Sequence, residues 1–138
     1  MNAPEIEVDH IGIAVETHGG LRFWELLGLE KNAPVELVQD QKVKVKMLPM
    51  KNSANLEFLE PTESASTVAK FITKRGPGIH HVCLRVKNIE EVLRKLKGGG
   101  IKLINETPVA GANGARVAFV HPSSTGGVLV ELSQSLGH

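Results

Sequence analysis

The chain reads as one pattern written twice, and that doubling constrains its fold more than any single motif. Residues 6–15 (IEVDHIGIAV) and 79–86 (IHHVCLRV) both have the make-up of strands. A short helical stretch follows each. Leu21, Trp24 and Leu27 recur at three-residue spacing, and Gly28 stops the run. In the second half Asn88, followed by Glu91, has the form of a helix start. Ile89, Val92, Leu93 and Leu96 make its apolar stripe, and Gly98, Gly99 and Gly100 end it. β patterning then returns. The first half offers residues 29–38, interrupted by Pro34, then 43–48 and 55–59. The second offers 101–106, 116–120 and 127–132, the last two separated by a turn at 121–126. Each half therefore predicts β-α-β-β-β. Residues 61–78 predict a helical connector, capped at Ser64 or Ser66, with Val68, Phe71 and Ile72 on its buried side. Gly76, Pro77 and Gly78 break it.

The length, 138 residues, suits one domain built from two modules, 6–60 and 79–133, joined by the connector 61–78. The predicted class is α+β, with the strands of both modules combined into an open, cupped, eight-stranded mixed sheet. Lysine and arginine total 16 against 15 acidic residues, a net charge of +1. That balance argues against capture of nucleic acid or an anionic membrane surface. A single cysteine, Cys83, excludes an intrachain disulfide framework and an all-cysteine zinc site. No apolar run has the length of a membrane span, and the opening nine residues are acidic rather than signal-like. A soluble, cytoplasmic protein is expected.

Chemistry is sought where polar side chains occupy strand positions that favour apolar ones. Strand alternation puts Val8, His10, Gly12 and Ala14 on one face, so His10 stands among small neighbours. In the matching strand His81 shares a face with Cys83 and Arg85. A carboxylate sits inside an apolar run near the end of each half, Glu57 in NLEFL and Glu131 in VLVEL. Such a group costs several kcal/mol unless it is paired or its face is wet. A lone strand histidine is more often a hydrogen-bonded structural residue, and a lone strand glutamate usually faces solvent. Recurrence changes that balance. His10 and His81 lie 71 residues apart, and Glu57 and Glu131 lie 74 apart. Paired halves would bring two imidazoles and two carboxylates together, a donor set suited to a divalent transition metal. His80, on the face opposite His81, reads as a packing residue. His121 opens the Pro122 turn, and His18 and His138 read as exposed. Lys42, Lys44 and Lys46 read as a wet strand face.

These features resemble the vicinal-oxygen-chelate (glyoxalase/dioxygenase) superfamily and, within it, the methylmalonyl-CoA epimerase family. The resemblance spans about residues 6–132. It rests on DHIGIAV at 9–15, LEFLEP at 56–61, STVAKFITKRGPGIHHVCLRV at 66–86 and HPSSTGGVLVEL at 121–132. It implies metal ligands at His10, His81 and Glu131, with Glu57 as a fourth. It also implies an isomerase that inverts the carbon beside a thioester through a metal-stabilised enolate. For that chemistry Glu131 reads as one proton-transferring group, and Glu57, or a water it holds, as the one serving the other face. An acyl-CoA substrate, a homodimer and a cobalt or manganese ion, with nickel or zinc as alternatives, complete the expectation. Histidine donors weigh against magnesium and calcium. Some epimerases carry a catalytic glutamate where this chain has Val45. Rival readings are a lactoylglutathione lyase, an extradiol dioxygenase and a non-catalytic binding module of the same fold. All four coordinating positions are filled by coordinating residues, which argues against the last.

Overall fold

The structure, a computed structural model, describes residues 5–17, 22–29, 34–51 and 53–135. The strands are β1 (Glu7–Ala14), β2 (Val35–Val38), β3 (Val43–Leu48), β4 (Asn55–Pro61), β5 (Gly78–Arg85), β6 (Val109–Ala110), β7 (Arg116–Val120) and β8 (Val130–Gln134). The α-helices are α1 (Arg22–Leu26), α2 (Thr67–Arg75) and α3 (Ile89–Gly98). The eight strands form one mixed sheet in the order β2-β3-β4-β1-β5-β8-β7-β6. Its two runs, β1-β4-β3-β2 and β5-β8-β7-β6, repeat one order, as the doubled sequence predicts. β5 and β8 are parallel, whereas β2–β3, β3–β4, β6–β7 and β7–β8 are antiparallel.

The chain divides into two compact units, Met1–His10 with His81–His138, and Ile11–His80. The division falls inside β1 and inside β5. In the first unit, α3 starts at Asn88, whose side chain accepts a hydrogen bond from the Glu91 backbone at 3.1 Å. Its stripe packs Ile89 and Leu93 against Val86, Ala118, Val120 and Leu132. Burying each large aliphatic side chain there contributes about 1.5–3 kcal/mol. In the second unit, α1 presents Trp24 to Phe58, with ring centroids 5.4 Å apart, beside Leu48, Val15 and Leu56. Gly28 ends that turn at φ 84, a left-handed conformation that favours glycine. α2 is capped by Ser66, the second of the two expected positions, with Val68 buried.

Three local expectations differ. Residues 101–106 are not a strand; Leu103 makes only an isolated bridge to Val120, and β6 lies further on at Val109–Ala110. The reason is a side chain. Asn105 Oδ1 accepts the Phe119 backbone N–H at 2.8 Å, a place a ladder carbonyl would take. β8 begins at Val130 rather than at residue 127, because Gly126 and Gly127 have φ of 75 and 99. Lys46 is 8% exposed rather than wet, since β3 runs between β2 and β4 with Lys46 in register with Val35 and Phe58. Leu21, His18 and His138 lie outside the described residues.

One close approach constrains the β6–β7 connection. A Cβ at Gly111 would stand 2.6 Å from Val117 Cγ1, and a β-branched valine buried at 2% exposure has little freedom to move aside. Gly111→Ala should therefore lower the unfolding free energy by about 1–3 kcal/mol in urea titration, the range for overpacking. An unchanged midpoint would mean that this contact relaxes.

Candidate metal centre

The first unit assembles its polar site on one sheet face. α3 covers the face carrying Ala118, Val120 and Leu132. Register places Glu131 opposite Cys83 on β5 and opposite Phe119 on β7, so these three share the other face. His81 lies two residues before Cys83 and shares that face. His10, on the same unit's part of β1, completes the group. His10, His81 and Glu131 are 5%, 4% and 6% exposed.

Their donor atoms form a nearly equilateral triangle. His10 Nε2 is 3.1 Å from His81 Nε2 and 3.2 Å from Glu131 Oε1, and His81 Nε2 is 2.9 Å from Glu131 Oε1. Each ligand atom of the trio lies within 4.8 Å of the others. Adjacent corners of an octahedron with bonds near 2.1 Å are about 3.0 Å apart, against about 3.4 Å for a tetrahedron. Separations of 2.9–3.2 Å are within the range that three donors sharing one divalent ion would have. Two histidines and one carboxylate on one triangular face are a recognised arrangement for divalent iron and its neighbours in the first transition row.

Protonation points the same way. Asp9 Oδ2 lies 2.7 Å from His10 Nδ1. An ionised carboxylate only accepts, so Nδ1 donates and a neutral His10 presents a lone pair at Nε2. That lone pair faces a carboxylate oxygen, and the two repel unless a positive charge, proton or metal, stands between them. Burial, the largest single influence on Glu131, pushes its carboxyl upward, but hydrogen bonds and charge from His10 and His81 together hold it at about 2. A hydrogen bond from His10 likewise lowers Asp9, against burial and with added help from Arg85. Burial pushes the Cys83 thiol up to about 12, so it stands beside His10 as a neutral thiol.

Glu57 is in the second unit. It is 5% exposed on β4, in register with Met47 and diagonal to Val45. That face lies opposite the one on which Phe58 meets Trp24. Among the described residues no buried side-chain nitrogen or oxygen lacks a hydrogen-bond partner, and Glu57 is no exception. His80 packs its ring against Phe71 at 5.0 Å, the packing role expected of it. His121 Nδ1 accepts the Ser123 backbone N–H at 3.0 Å and caps its turn. The contribution missed in the sequence is that of Asp9, which strand alternation places on the face away from His10.

Comparison with known proteins places these residues among relatives. The profile of the Glyoxalase/Bleomycin resistance protein/Dioxygenase superfamily matches residues 9–119. An uncharacterized protein YqjC of Bacillus subtilis is 40% identical over 94% of this chain and 93% of its own length. The mitochondrial methylmalonyl-CoA epimerase of Bos taurus is 37% identical over 93% of this chain and 74% of its own. A solved methylmalonyl-CoA epimerase, in complex with methylmalonyl-CoA and NH4+, superposes with a TM-score of 0.88 at 30% identity, covering 95% of both chains.

Proposed function

Because the chain belongs to the Glyoxalase/Bleomycin resistance protein/Dioxygenase superfamily, we propose that it inverts the carbon between the thioester and the carboxylate of methylmalonyl-CoA, using a divalent metal. Its relatives make it an epimerase, and so an isomerase. The observation that carries the metal-dependent reading is the buried triangle of His10 Nε2, His81 Nε2 and Glu131 Oε1.

His10, His81 and Glu131 would hold the ion, as cobalt or manganese, or as nickel or zinc. When bound, the ion supplies a Lewis acid that offsets the negative charge developing on the thioester oxygen as the α-proton leaves. The chain's own part is proton transfer. Glu131 is ionised at neutral pH, and its oxygen not turned to the histidines is proposed as the proton acceptor. Inversion needs a second group for the other face of the carbon. Glu57 is proposed for it, and as a fourth donor, from its recurrence in the sequence. Val45 offers no carboxylate on the Glu57 face of β3, so the role does not fall there. The proposed holoprotein is a homodimer, as the resemblance implies, and is expected in the cytoplasm. Among the described residues no helix is long and apolar enough to cross a membrane.

The test is a paired assay on one cobalt-loaded sample. Deuterium from D2O should enter C2 of methylmalonyl-CoA, while the glutathione hemithioacetal of methylglyoxal should be left unconverted. Conversion of the hemithioacetal alone would assign the site to a lactoylglutathione lyase. Activity on neither, with no retained metal, would favour a binding module.

A further inference from the structure

We propose that Asp9, gripped by Arg85, is a positioning residue that keeps the proton of His10 on Nδ1 and its Nε2 lone pair turned toward His81 and Glu131. This rests on the metal reading above and deepens it. Neutral imidazole carries one N–H, and whichever nitrogen bears it cannot bind a metal. Free in water, the ring would divide between two tautomers. Here the acceptor-only carboxylate of Asp9, 2.7 Å from Nδ1, selects one of them. Only that tautomer presents a lone pair at His10 Nε2 to the triangle.

The hold on Asp9 itself is visible. Its second oxygen, Oδ1, lies 3.3 Å from Arg85 Nη1, and Arg85 Nη2 lies 2.8 Å from Glu7 Oε2. The line Glu7, Arg85, Asp9, His10 runs inward, with side-chain exposures of 74%, 43%, 21% and 6%. Exposed ion pairs add little to folding stability, so the outer pair is poorly explained as a staple. It is well placed to fix the rotamer of a carboxylate whose neighbour must aim within a few tenths of an ångström. Successive strand residues face opposite ways. Asp9 nonetheless reaches the ring of its neighbour with Oδ2 while its Oδ1 meets the Arg85 guanidinium from β5.

Asp9, His10 and Cys83 also cluster closely enough to hold an ion. With Nδ1 carrying the proton it donates to Asp9, that nitrogen is closed to an ion there. A partner that orients a ligating histidine through its second nitrogen typically matters by 10- to 100-fold in metal affinity.

Two measurements on the full-length protein test this. Long-range imidazole 1H–15N correlation on the metal-free protein reports the His10 tautomer directly. Wild type should show Nδ1–H, and Asp9→Ala a substantial Nε2–H population. Cobalt(II) affinity, measured by chelator competition, should fall about 10- to 100-fold in Asp9→Ala. Asp9→Asn, which keeps an acceptor oxygen, should recover part of the loss, and the surface variant Arg85→Gln should weaken binding several-fold. A wild-type tautomer retained in Asp9→Ala, or affinity within twofold of wild type, overturns the positioning role while the metal reading stands. A wild-type protein that binds no cobalt overturns the metal reading, and this proposal with it.

Discussion

Glu131→Gln should slow deuterium incorporation at C2 of methylmalonyl-CoA by about a thousandfold or more, because one substitution removes both a proposed metal donor and the proposed proton acceptor. General-base transfer alone is typically worth 10²–10⁴-fold, and loss of Lewis-acid stabilisation adds to it. A second, independent signature lies in acid stability. The Glu131 carboxyl has an ordinary value of 4.5 and is held at about 2 in the folded, metal-free protein. A depressed folded value means that the carboxylate stabilises the fold above pH 4.5 and that this contribution is lost as pH falls toward 2. Holding the carboxyl that far below its ordinary value corresponds to about 3 kcal/mol in order of magnitude. Urea unfolding of the metal-free wild type should therefore weaken steeply between pH 4.5 and 2, and Glu131→Gln should show a much flatter dependence there. Retained turnover in Glu131→Gln, with full metal content, would remove Glu131 from the chemistry.

His81→Ala should reduce tightly bound metal, measured by elemental analysis after dialysis against chelator, from about one ion per chain to near zero. Turnover should fall with it by about three orders of magnitude, since metal catalysis supplies several kcal/mol of barrier lowering. The fold should survive. Truncating a buried ring costs about 3–5 kcal/mol at most by analogy with aromatic core residues. His81 also lies edge-on to Phe119 at 5.8 Å, so the near-ultraviolet spectrum is a check on local packing. Full metal retention in a folded His81→Ala protein would mean that the ion, if any, sits elsewhere.

Much of this was legible without coordinates because it is local. Alternation with a period of two assigns side chains to strand faces, and His10, His81, Glu57 and Glu131 stand out as polar groups at buried positions. Helix starts at Ser66 and Asn88 follow from side-chain oxygens that reach backbone N–H groups two or three residues on. The misread segment, 101–106, failed for the same kind of reason: Asn105 satisfies the backbone of Phe119 with its side chain, and apolar patterning cannot report that.

Local patterning set the doubled β-α-β-β-β order, the strand faces of His10, His81, Glu57 and Glu131, and the donor types available. Which donors meet depends on long-range pairing. Pairing brings His10 and His81, 71 residues apart, together with Glu131 in the first unit, and Glu57 belongs to the second. It also brings Arg85 to Asp9 across a separation of 76 residues. The physical reason is that a strand's own residues fix its pleat, whereas its neighbours and register depend on pairing with distant segments. The pleat is written locally; the triangle of donors exists only once those pairings have formed.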